Sequence, residues 1–209
     1  MYVPPHFKSD DDDLTRKLIA ENTFGILSVT AAPDAISHLP MLLVDDGEAG
    51  EKLIGHVAKA NPVWKTFDGT HPAVAIFSGP HAYLSPNWYV SENMVPTWNY
   101  AAVHVFGHPV AVTDDDAADA VLQTLVAAFE SDATGNWSMD GLDTDFRRRQ
   151  LKGIVAFEMP VERIETKLKM SQNRSAEDVD GAMRGLEATG DAEALATVEI
   201  MRSVKAGRR

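Results

Sequence analysis

Residues 69–113 form a long stretch of almost uncharged sequence. Glu92 is its one formally charged residue, whereas a stretch of this length at the chain's average of 24% charged residues would carry about eleven. It also holds three of the four tyrosines, two of the four tryptophans and four of the seven histidines. This composition is typical of the core of a protein interface, of a pocket for a flat heterocycle, or of the hydrophobic middle of a barrel.

The segment Ser85–Tyr100 argues against the last of these readings. Its sequence, SPNWYVSENMVPTWNY, contains two prolines and four large aromatic residues and does not fit one regular strand. Irregular but aromatic-rich backbone of this kind usually contacts a ligand or a partner. We therefore expect a dimer partner and a cofactor to share one cleft here.

The rest of the chain predicts a mainly β fold (α+β) with peripheral helices. Helices are expected after the acidic run Asp10–Asp13, from Asn61 to Phe67, from Asp114 to Glu130, from Phe146 to Leu151, and as a hairpin over Ala176–Met201 that turns at Gly190-Asp191. Strands are expected at 24–31, at 35–44 with an interruption at Pro40, at 52–58, at 72–77 and 82–84 around a Gly79-Pro80 turn, at 97–113 and at 154–159. Because most connections are too short for crossover helices, we expect an antiparallel β-barrel.

Composition excludes several classes of function. The chain has 209 residues and no cysteine, which rules out disulfides, iron–sulfur clusters and thiol catalysis and fits a cytoplasmic location. No apolar run is long enough for a membrane helix, and the acidic N-terminus does not resemble a signal peptide. With a net charge of −12, direct DNA binding is disfavoured. The two basic clusters, Arg147–Arg149 with Lys152 and Arg202–Arg209, are expected to be solvated helix surfaces.

The segment Gly55–Lys65 is a candidate phosphate site. A strand carrying His56 ends near Lys59 and turns at Asn61 into a helix start, which brings together a cation, an amide and free backbone N–H groups. A strand–helix junction with a structural lysine would have the same sequence, so both interpretations stay open.

The histidines do not form a strong metal motif. His104 and His108 are four residues apart, but Gly107 and Pro109 make a helix there improbable, and no metal site is predicted. His38, two residues before Pro40, is typical of a hydrogen-bonded structural histidine, although it is retained among the candidate cofactor-binding residues. Hydrolase and nucleotide-triphosphatase motifs are absent from the sequence.

Six segments together resemble one family, the PaiB-type FMN-binding negative transcriptional regulators. They are MYVPPHF, SHLPMLL, GHVAKANP, AIFSGPHAYLSPNWY, VPTWNYAAVHVFG and KMSQNR, and they occur in the family's order between Met1 and Arg174. The resemblance implies an FMN-binding split β-barrel, similar to pyridoxine-phosphate oxidase, over residues 1–174. Residues 175–209 are then expected to form a C-terminal helical hairpin packed on the same domain.

The resemblance also implies a homodimer with FMN in a cleft between the subunits. His56, Lys59 and Asn61 would hold the flavin phosphate. Residues Trp98, Asn99, Tyr100 and His104 would line the isoalloxazine ring from the partner chain, and Lys169, Ser171, Gln172, Asn173 and Arg174 would close the site. Lys59 stands where the family often has Arg, which replaces a fork of donors by a point charge.

Three functions remain compatible with these expectations. The first is a flavin-sensing module or negative transcriptional regulator, which would act on DNA through another protein. The second is an FMN-dependent NAD(P)H oxidoreductase of unknown substrate, in which the protein supplies only orientation and electrostatics. The third is a haem-binding split barrel with a histidine as the axial ligand.

Overall fold

The computed structural model describes residues 1–207, so that Arg208 and Arg209, the last members of the C-terminal basic cluster, lie outside the described residues. Within residues 1–207 there are five α-helices: α1 (Asp12–Glu21), α2 (Asp115–Phe129), α3 (Thr144–Leu151), α4 (Ala176–Thr189) and α5 (Ala192–Ala206). The strands of the same range are β1 (Lys8–Ser9), β2 (Phe24–Val29), β3 (Ser37–Asp45), β4 (Glu51–Ala58), β5 (Ala73–Leu84), β6 (Thr97–Gly107), β7 (Val110–Ala111) and β8 (Ile154–Lys169).

Six of these strands close into an antiparallel barrel. The strand order is β1-β8-β4-β3-β2-β5-β6, and β6 pairs back with β8. The two-residue strands β1 and β7 both add to β8. The predicted split barrel with peripheral helices is therefore confirmed.

Pro40 lies inside β3 and does not interrupt it. The residues up to Pro40 pair with β2, and the residues from Met41 onward pair with β4. The proline stands where the strand changes partner. A residue without an N–H group is tolerated at such a local irregularity of the ladder.

The turn predicted at Gly79-Pro80 is wrong, because β5 runs through both residues. The alternation of buried and exposed side chains changes phase there, with Gly79 buried, His81 exposed and Ala82 buried. A Cβ atom on Gly79 would lie 3.0 Å from side-chain carbons of both Leu18 and Ala101. The glycine therefore serves close packing against α1 and β6.

Strand β8 is ten residues longer than predicted. The sequence pattern predicts an end at Met159, but Pro160 pairs with Lys52 of β4, and the strand continues to Lys169. Near its end, Thr166 and Lys167 pair with β1. The extension carries the basic side chains of Lys167 and Lys169.

The chain forms two compact units that are interleaved in sequence. The first, unit 1, comprises Met1–Glu21, Ser78–Val103 and the described residues from Glu165 onward, and the second, unit 2, comprises Asn22–Phe77 and His104–Ile164. Strands β5, β6 and β8 contribute residues to both. None of the helices in the described part of the chain is long and apolar enough to cross a membrane.

In unit 2, α2 packs on the surface of the sheet. Its buried residues Ala118, Val121 and Leu125 form one cluster with Ile54 of β4 and Ala156 of β8. Asp114 caps the helix by accepting a hydrogen bond from the N–H of Ala117 at 2.8 Å, as the acidic start of the segment predicts. The helix predicted from Asp114 to Glu130 is thus confirmed, and Phe129 at its end is 42% exposed.

In unit 1, α4 and α5 form the predicted C-terminal hairpin. Gly190 adopts a left-handed conformation (φ +68°) that ends α4, and Asp191 caps α5 through the N–H of Ala194 at 2.9 Å. A Gly-Asp pair between two helical patterns is a strong local signal, which explains why the sequence placed this turn correctly.

Candidate functional site

Strand β6 presents one buried and one open face. Asn99, Ala101 and Val103 are buried, whereas Trp98 and Tyr100, on the alternate positions, are accessible. Trp98 is 53% exposed and Asn99 is fully buried. Trp98 and Asn99, which were both predicted to line the isoalloxazine ring, therefore lie on opposite faces of the strand.

The open face of unit 1 is an aromatic patch, formed by His81, Tyr83 and Trp98. The ring of Trp98 lies 6.1 Å from that of His81 and 6.0 Å from that of Tyr83. Tyr83 is 47% exposed because it lies on the face of β5 opposite to the buried residues Ala82 and Leu84. An exposed cluster of aromatic rings is typical of a surface that stacks on a flat ligand or packs against a partner.

His104 lies on the same open face of β6 but belongs to unit 2. It is half-buried, and its ring is 6.1 Å from that of Phe106. Arg163 of β8 lies over the Phe106 ring, with its guanidinium carbon 3.7 Å from the ring centre.

The irregular segment between β5 and β6 is fixed to helix α4. The carboxylate of Asp178 accepts hydrogen bonds from the backbone N–H groups of Val90 and Ser91, both at 2.9 Å, and from the Ser91 hydroxyl at 2.7 Å. The bonds from Ser91 hold the pKa of Asp178 below its ordinary value. The prediction that Ser85–Tyr100 is not one regular strand is confirmed, and the structure shows what orders it.

Trp88 lies against a glycine stripe on the same helix. A Cβ atom on Gly181 would lie 2.1 Å from the Trp88 carbonyl oxygen, and one on Gly185 would lie 2.2 Å from the indole ring. Only glycine leaves room for this approach. Trp88 therefore anchors the segment and is not available as a face for a ligand.

The turn Met170–Arg174 is held by its own side chains. Ser171 has φ +63°, and its buried hydroxyl donates to the Asn99 Oδ1 at 3.1 Å. The Gln172 amide donates to the Leu168 carbonyl oxygen and accepts from the Met170 N–H at 2.6 Å. A non-glycine residue in the left-handed region is uncommon and marks a turn whose shape is fixed by its surroundings.

Other residues of this turn have side chains that remain open to a ligand. Asn173 is exposed, and the Arg174 guanidinium lies 5.9 Å from the Tyr89 ring. Lys169 donates to the Thr97 hydroxyl and, at 2.6 Å, to the Trp98 carbonyl oxygen. Five residues predicted to close the site thus lie together in unit 1, but Ser171 and Gln172 serve the turn itself.

The predicted phosphate residues lie in unit 2. The Asn61 amide donates to the Ser37 hydroxyl at 2.8 Å and caps the 3-10 helix Pro62–Thr66 by accepting from the Val63 N–H at 3.1 Å. Lys59 is exposed, and its ammonium lies 4.0 Å from the centre of the Trp64 ring. The helix start predicted at Asn61-Pro62 is confirmed, and its amide is occupied by the protein.

His56 has an unsatisfied polar atom. Its Nδ1 is buried and has no hydrogen-bond partner among the described residues. Burial lowers the pKa of the imidazole, so the ring is neutral at pH 7. His38 lies on β3, where its exposed ring stacks at 6.4 Å on Phe24.

Beside Lys59, unit 2 contains a cavity of about 340 Å³. Trp64 and Lys152 line it together with apolar residues, among them Ala118 of α2 and Leu151 of α3. The lining thus includes two lysines and one carboxylate, Asp115, among mostly apolar residues. It does not include His56 or Asn61.

These groups fit the chemistry of FMN. An exposed ammonium at Lys59 suits a phosphate, the orphaned Nδ1 of His56 can bond a polar ligand atom, and the aromatic patch suits a flat ring system. A group of three or more His, Asp or Glu side chains arranged to hold a metal ion is not found in residues 1–207.

Lys167, Tyr83 and His81 are further candidate site residues that were not predicted from the sequence. Lys167 is 93% buried, with its ammonium 5.1 Å from the Tyr100 ring. The spacing of Lys167 and Lys169, two residues apart as on one face of a strand, was the signal in the sequence that could have identified Lys167. It was missed because β8 was ended at Met159.

Similar folds occur in flavin-binding proteins of known structure. The FAD and heme binding protein from Mycobacterium smegmatis superposes with a TM-score of 0.59 at 15% identity, covering 84% of this chain and 79% of that chain. The flavocytochrome Anf3 from Azotobacter vinelandii superposes with a TM-score of 0.58 at 10% identity, covering 80% and 72%. At these identities the similarity shows the fold alone, and it places the chain in the class of split-barrel proteins.

Sequence comparison gives the family. Residues 1–163 match the family described as "Putative FMN-binding domain". The "Protease synthase and sporulation protein PAI 2" of Bacillus subtilis (strain 168) is 34% identical over 202 residues, which cover 96% of each chain. The "Uncharacterized protein YKL070W" of Saccharomyces cerevisiae (strain S288c) is 31% identical over 139 residues, covering 55% of this chain and 81% of the yeast protein. The chain belongs to the PaiB-type family of FMN-binding domains, and FMN is its cofactor.

Proposed function

We propose that this protein is a homodimeric FMN-binding module of the cytoplasm that senses flavin and acts as a negative transcriptional regulator. The observation that carries the proposal is the aromatic patch. His81, Tyr83 and Trp98 expose their rings together, and an exposed patch of this kind needs a flat ligand, a second subunit or both.

In the proposed dimer, each flavin contacts both chains. Lys59 and His56 of one subunit hold the phosphate end, with Asn61 positioning the loop through its bonds to Ser37 and Val63. Trp98 and Tyr100 of the partner, with His104 farther along the strand, line the ring. The proposal is supported by the exposure of Lys59 and Trp98 and by the unsatisfied Nδ1 of His56.

In the turn after β8, the strained Ser171 has a positioning role together with Asn99 of β6. Their mutual hydrogen bond fixes the turn while the side chains of Lys169, Asn173 and Arg174 stay available to the ligand. His38, which stacks on Phe24, is the remaining candidate contact.

The regulatory part of the proposal does not involve direct contact with DNA. The net charge is −12, and acidic residues pair with several of the basic side chains: Arg147 with Asp119, and Arg202 with Glu187. Phosphate neutralisation by lysine and arginine supplies much of the affinity for DNA. The relative named for protease synthesis and sporulation supports a regulatory role, which here would be exerted through another protein.

The test is the absorbance spectrum of the purified protein, followed by FMN titration of the flavin-free form and by its mass in solution. We expect a flavin spectrum or saturable FMN uptake, and twice the chain mass of 22.8 kDa. A monomer that takes up no FMN would refute the proposal. Anaerobic reduction of the bound FMN by NADH or NADPH would instead assign the oxidoreductase function, and a Soret band on haem titration would assign haem binding.

A further inference from the structure

The C-terminal end of strand β8, which belongs to unit 1, carries two lysines. Lys167 and Lys169 are two residues apart, so they share one face of the strand. Each lies near an aromatic residue of β6: the Lys167 ammonium is 5.1 Å from the Tyr100 ring, and the Lys169 ammonium bonds to the Trp98 carbonyl oxygen at 2.6 Å. The two cations therefore border the proposed flavin face.

Lys167 is the more unusual of the two, because it is only 7% exposed. Its ammonium has three donors, and its one hydrogen bond goes to the Tyr2 carbonyl oxygen at 3.1 Å. The rings of Tyr2 and Tyr100 lie within cation–π distance. These contacts compensate a buried ammonium less completely than an anion does.

Carboxylates do not neutralise this cluster. Among residues 1–207, none of the ion pairs includes Lys167, Lys169 or Arg174. Glu165, which shares a face of β8 with Lys167 and Lys169, accepts a hydrogen bond from the N-terminal ammonium of Met1. Buried lysines are normally paired, since an uncompensated buried charge is costly.

The lowered pKa of Lys169 also indicates that the positive charges of this cluster are not compensated. Burial lowers its pKa, and the positive charges of Lys167 and Arg174 lower it further. Three cations thus repel one another in a partly dehydrated place. A bound anion would relieve both the repulsion and the desolvation.

We propose that Lys167, Lys169 and Arg174 form an anion-binding subsite for a phosphate or carboxylate group on a molecule with a flat apolar body. The cations bind the anionic group, and the rings of Trp98 and Tyr100 on β6 bind the flat body. The anion is either the acidic group of a second ligand beside the flavin or the flavin phosphate itself, in which case these cations take the place of Lys59 and His56 as the phosphate ligands. The inference rests on the proposed flavin face for the flat body, but the anion binding itself is tested without flavin.

The first measurement is the thermal stability of the flavin-free, full-length protein with increasing inorganic phosphate at constant ionic strength. We expect phosphate to raise the Tm of the wild type, because a ligand that binds the folded state stabilises it. Lys167→Met and Lys169→Met should each weaken phosphate binding roughly tenfold or more. Lys167→Arg keeps the charge and should keep the binding, as should Lys17→Met, which removes an exposed lysine of α1 in the same unit.

The stability without phosphate separates this role from a structural one. If Lys167 is an anion ligand, Lys167→Met relieves an uncompensated charge and the phosphate-free Tm stays equal or rises. If the lysine only holds Tyr2 in place, the same variant lowers the Tm and the response to phosphate is unchanged. The latter result would overturn the proposal.

Titration with FMN and with riboflavin identifies the source of the anion. If the flavin phosphate occupies the subsite, the Lys→Met variants lose affinity for FMN and keep affinity for riboflavin, and phosphate competes with FMN in the wild type. If a second ligand occupies it, both flavins bind the variants normally and phosphate still binds the FMN-loaded wild type. Phosphate binding by neither the flavin-free nor the FMN-loaded wild type would refute the subsite, whereas phosphate binding without flavin binding would refute only the proposed function.

Discussion

Asn61 and Asn99 show that the chemistry of a side chain does not by itself tell whether it contacts the ligand or holds the protein. Both amides were candidate flavin ligands from the sequence, and both are hydrogen-bonded to the protein: Asn61 to Ser37 and Val63, Asn99 to Ser171. A motif records that an amide is needed at a position, but it does not record whether the ligand or the loop uses it. Burial and bonding partners, which depend on the folded chain, separate the two roles.

Lys59 is the residue that best tests the phosphate end. Lys59→Ala should weaken FMN binding by roughly two- to fivefold at low salt, and by less at high salt, because the lysine is exposed and its contribution is screened. Flavin fluorescence titration measures it. Riboflavin affinity should not change, and the neighbouring exposed Lys65→Ala is the matched control. Equal FMN affinity of wild type and Lys59→Ala would place the phosphate elsewhere.

His56 predicts a dependence of stability on pH. Burial depresses its folded-state pKa below the ordinary 6.5, so the unfolded chain takes up this proton first as the pH falls. The contribution of His56 to stability is therefore present above pH 6.5 and is lost as the pH falls through the folded-state pKa. Between pH 7.5 and pH 5.5, urea unfolding should show a larger loss for the wild type than for His56→Gln. Parallel losses would mean that His56 titrates normally.

At the scale of elements, the sequence predicted what local signals determine. The helix starts at Asn61 and Asp114 and the turn at Gly190-Asp191 were correct, since capping and left-handed glycine act within a few residues. Pro40 and Pro80 were misread as breaks, and β8 was ended too early. Those features depend on which strand pairs where, and partner strands are distant in sequence.

The glycine stripe of α4 gives a prediction at this scale. Gly→Ala in a helix normally stabilises by about 0.5–1 kcal/mol. At Gly185, however, the new Cβ would lie 2.2 Å from the Trp88 ring, and displacing the packed indole costs about 1–3 kcal/mol. We therefore expect Gly185→Ala to destabilise the protein in urea unfolding. The control is Gly141→Ala, where a Cβ meets nothing within 4 Å. A stabilised Gly185→Ala protein would show that Trp88 does not pack on this helix.

At the scale of the whole molecule, Trp98 links flavin binding to assembly. Trp98→Ala should weaken both dimerisation and FMN binding, each by about 30-fold if the indole is an interface hot spot. Sedimentation at several concentrations and FMN titration measure the two effects. Trp137→Ala removes a tryptophan of similar exposure (49% against 53%) and should change neither. Loss of one property alone would contradict a cleft that serves both.

The central claim is that Lys59 of one subunit and the aromatic face of its partner bind the same flavin. Mixing Lys59→Ala chains with Tyr100→Ala chains tests it most directly, because a heterodimer then contains one site with both native residues and one with neither. At low salt, we predict that purified heterodimers bind one FMN per dimer with wild-type affinity, while the Lys59→Ala homodimer binds FMN roughly two- to fivefold more weakly at both sites and the Tyr100→Ala homodimer also binds it more weakly at both. Weak binding at both sites of the heterodimer would contradict the claim and show that each flavin is held by a single chain.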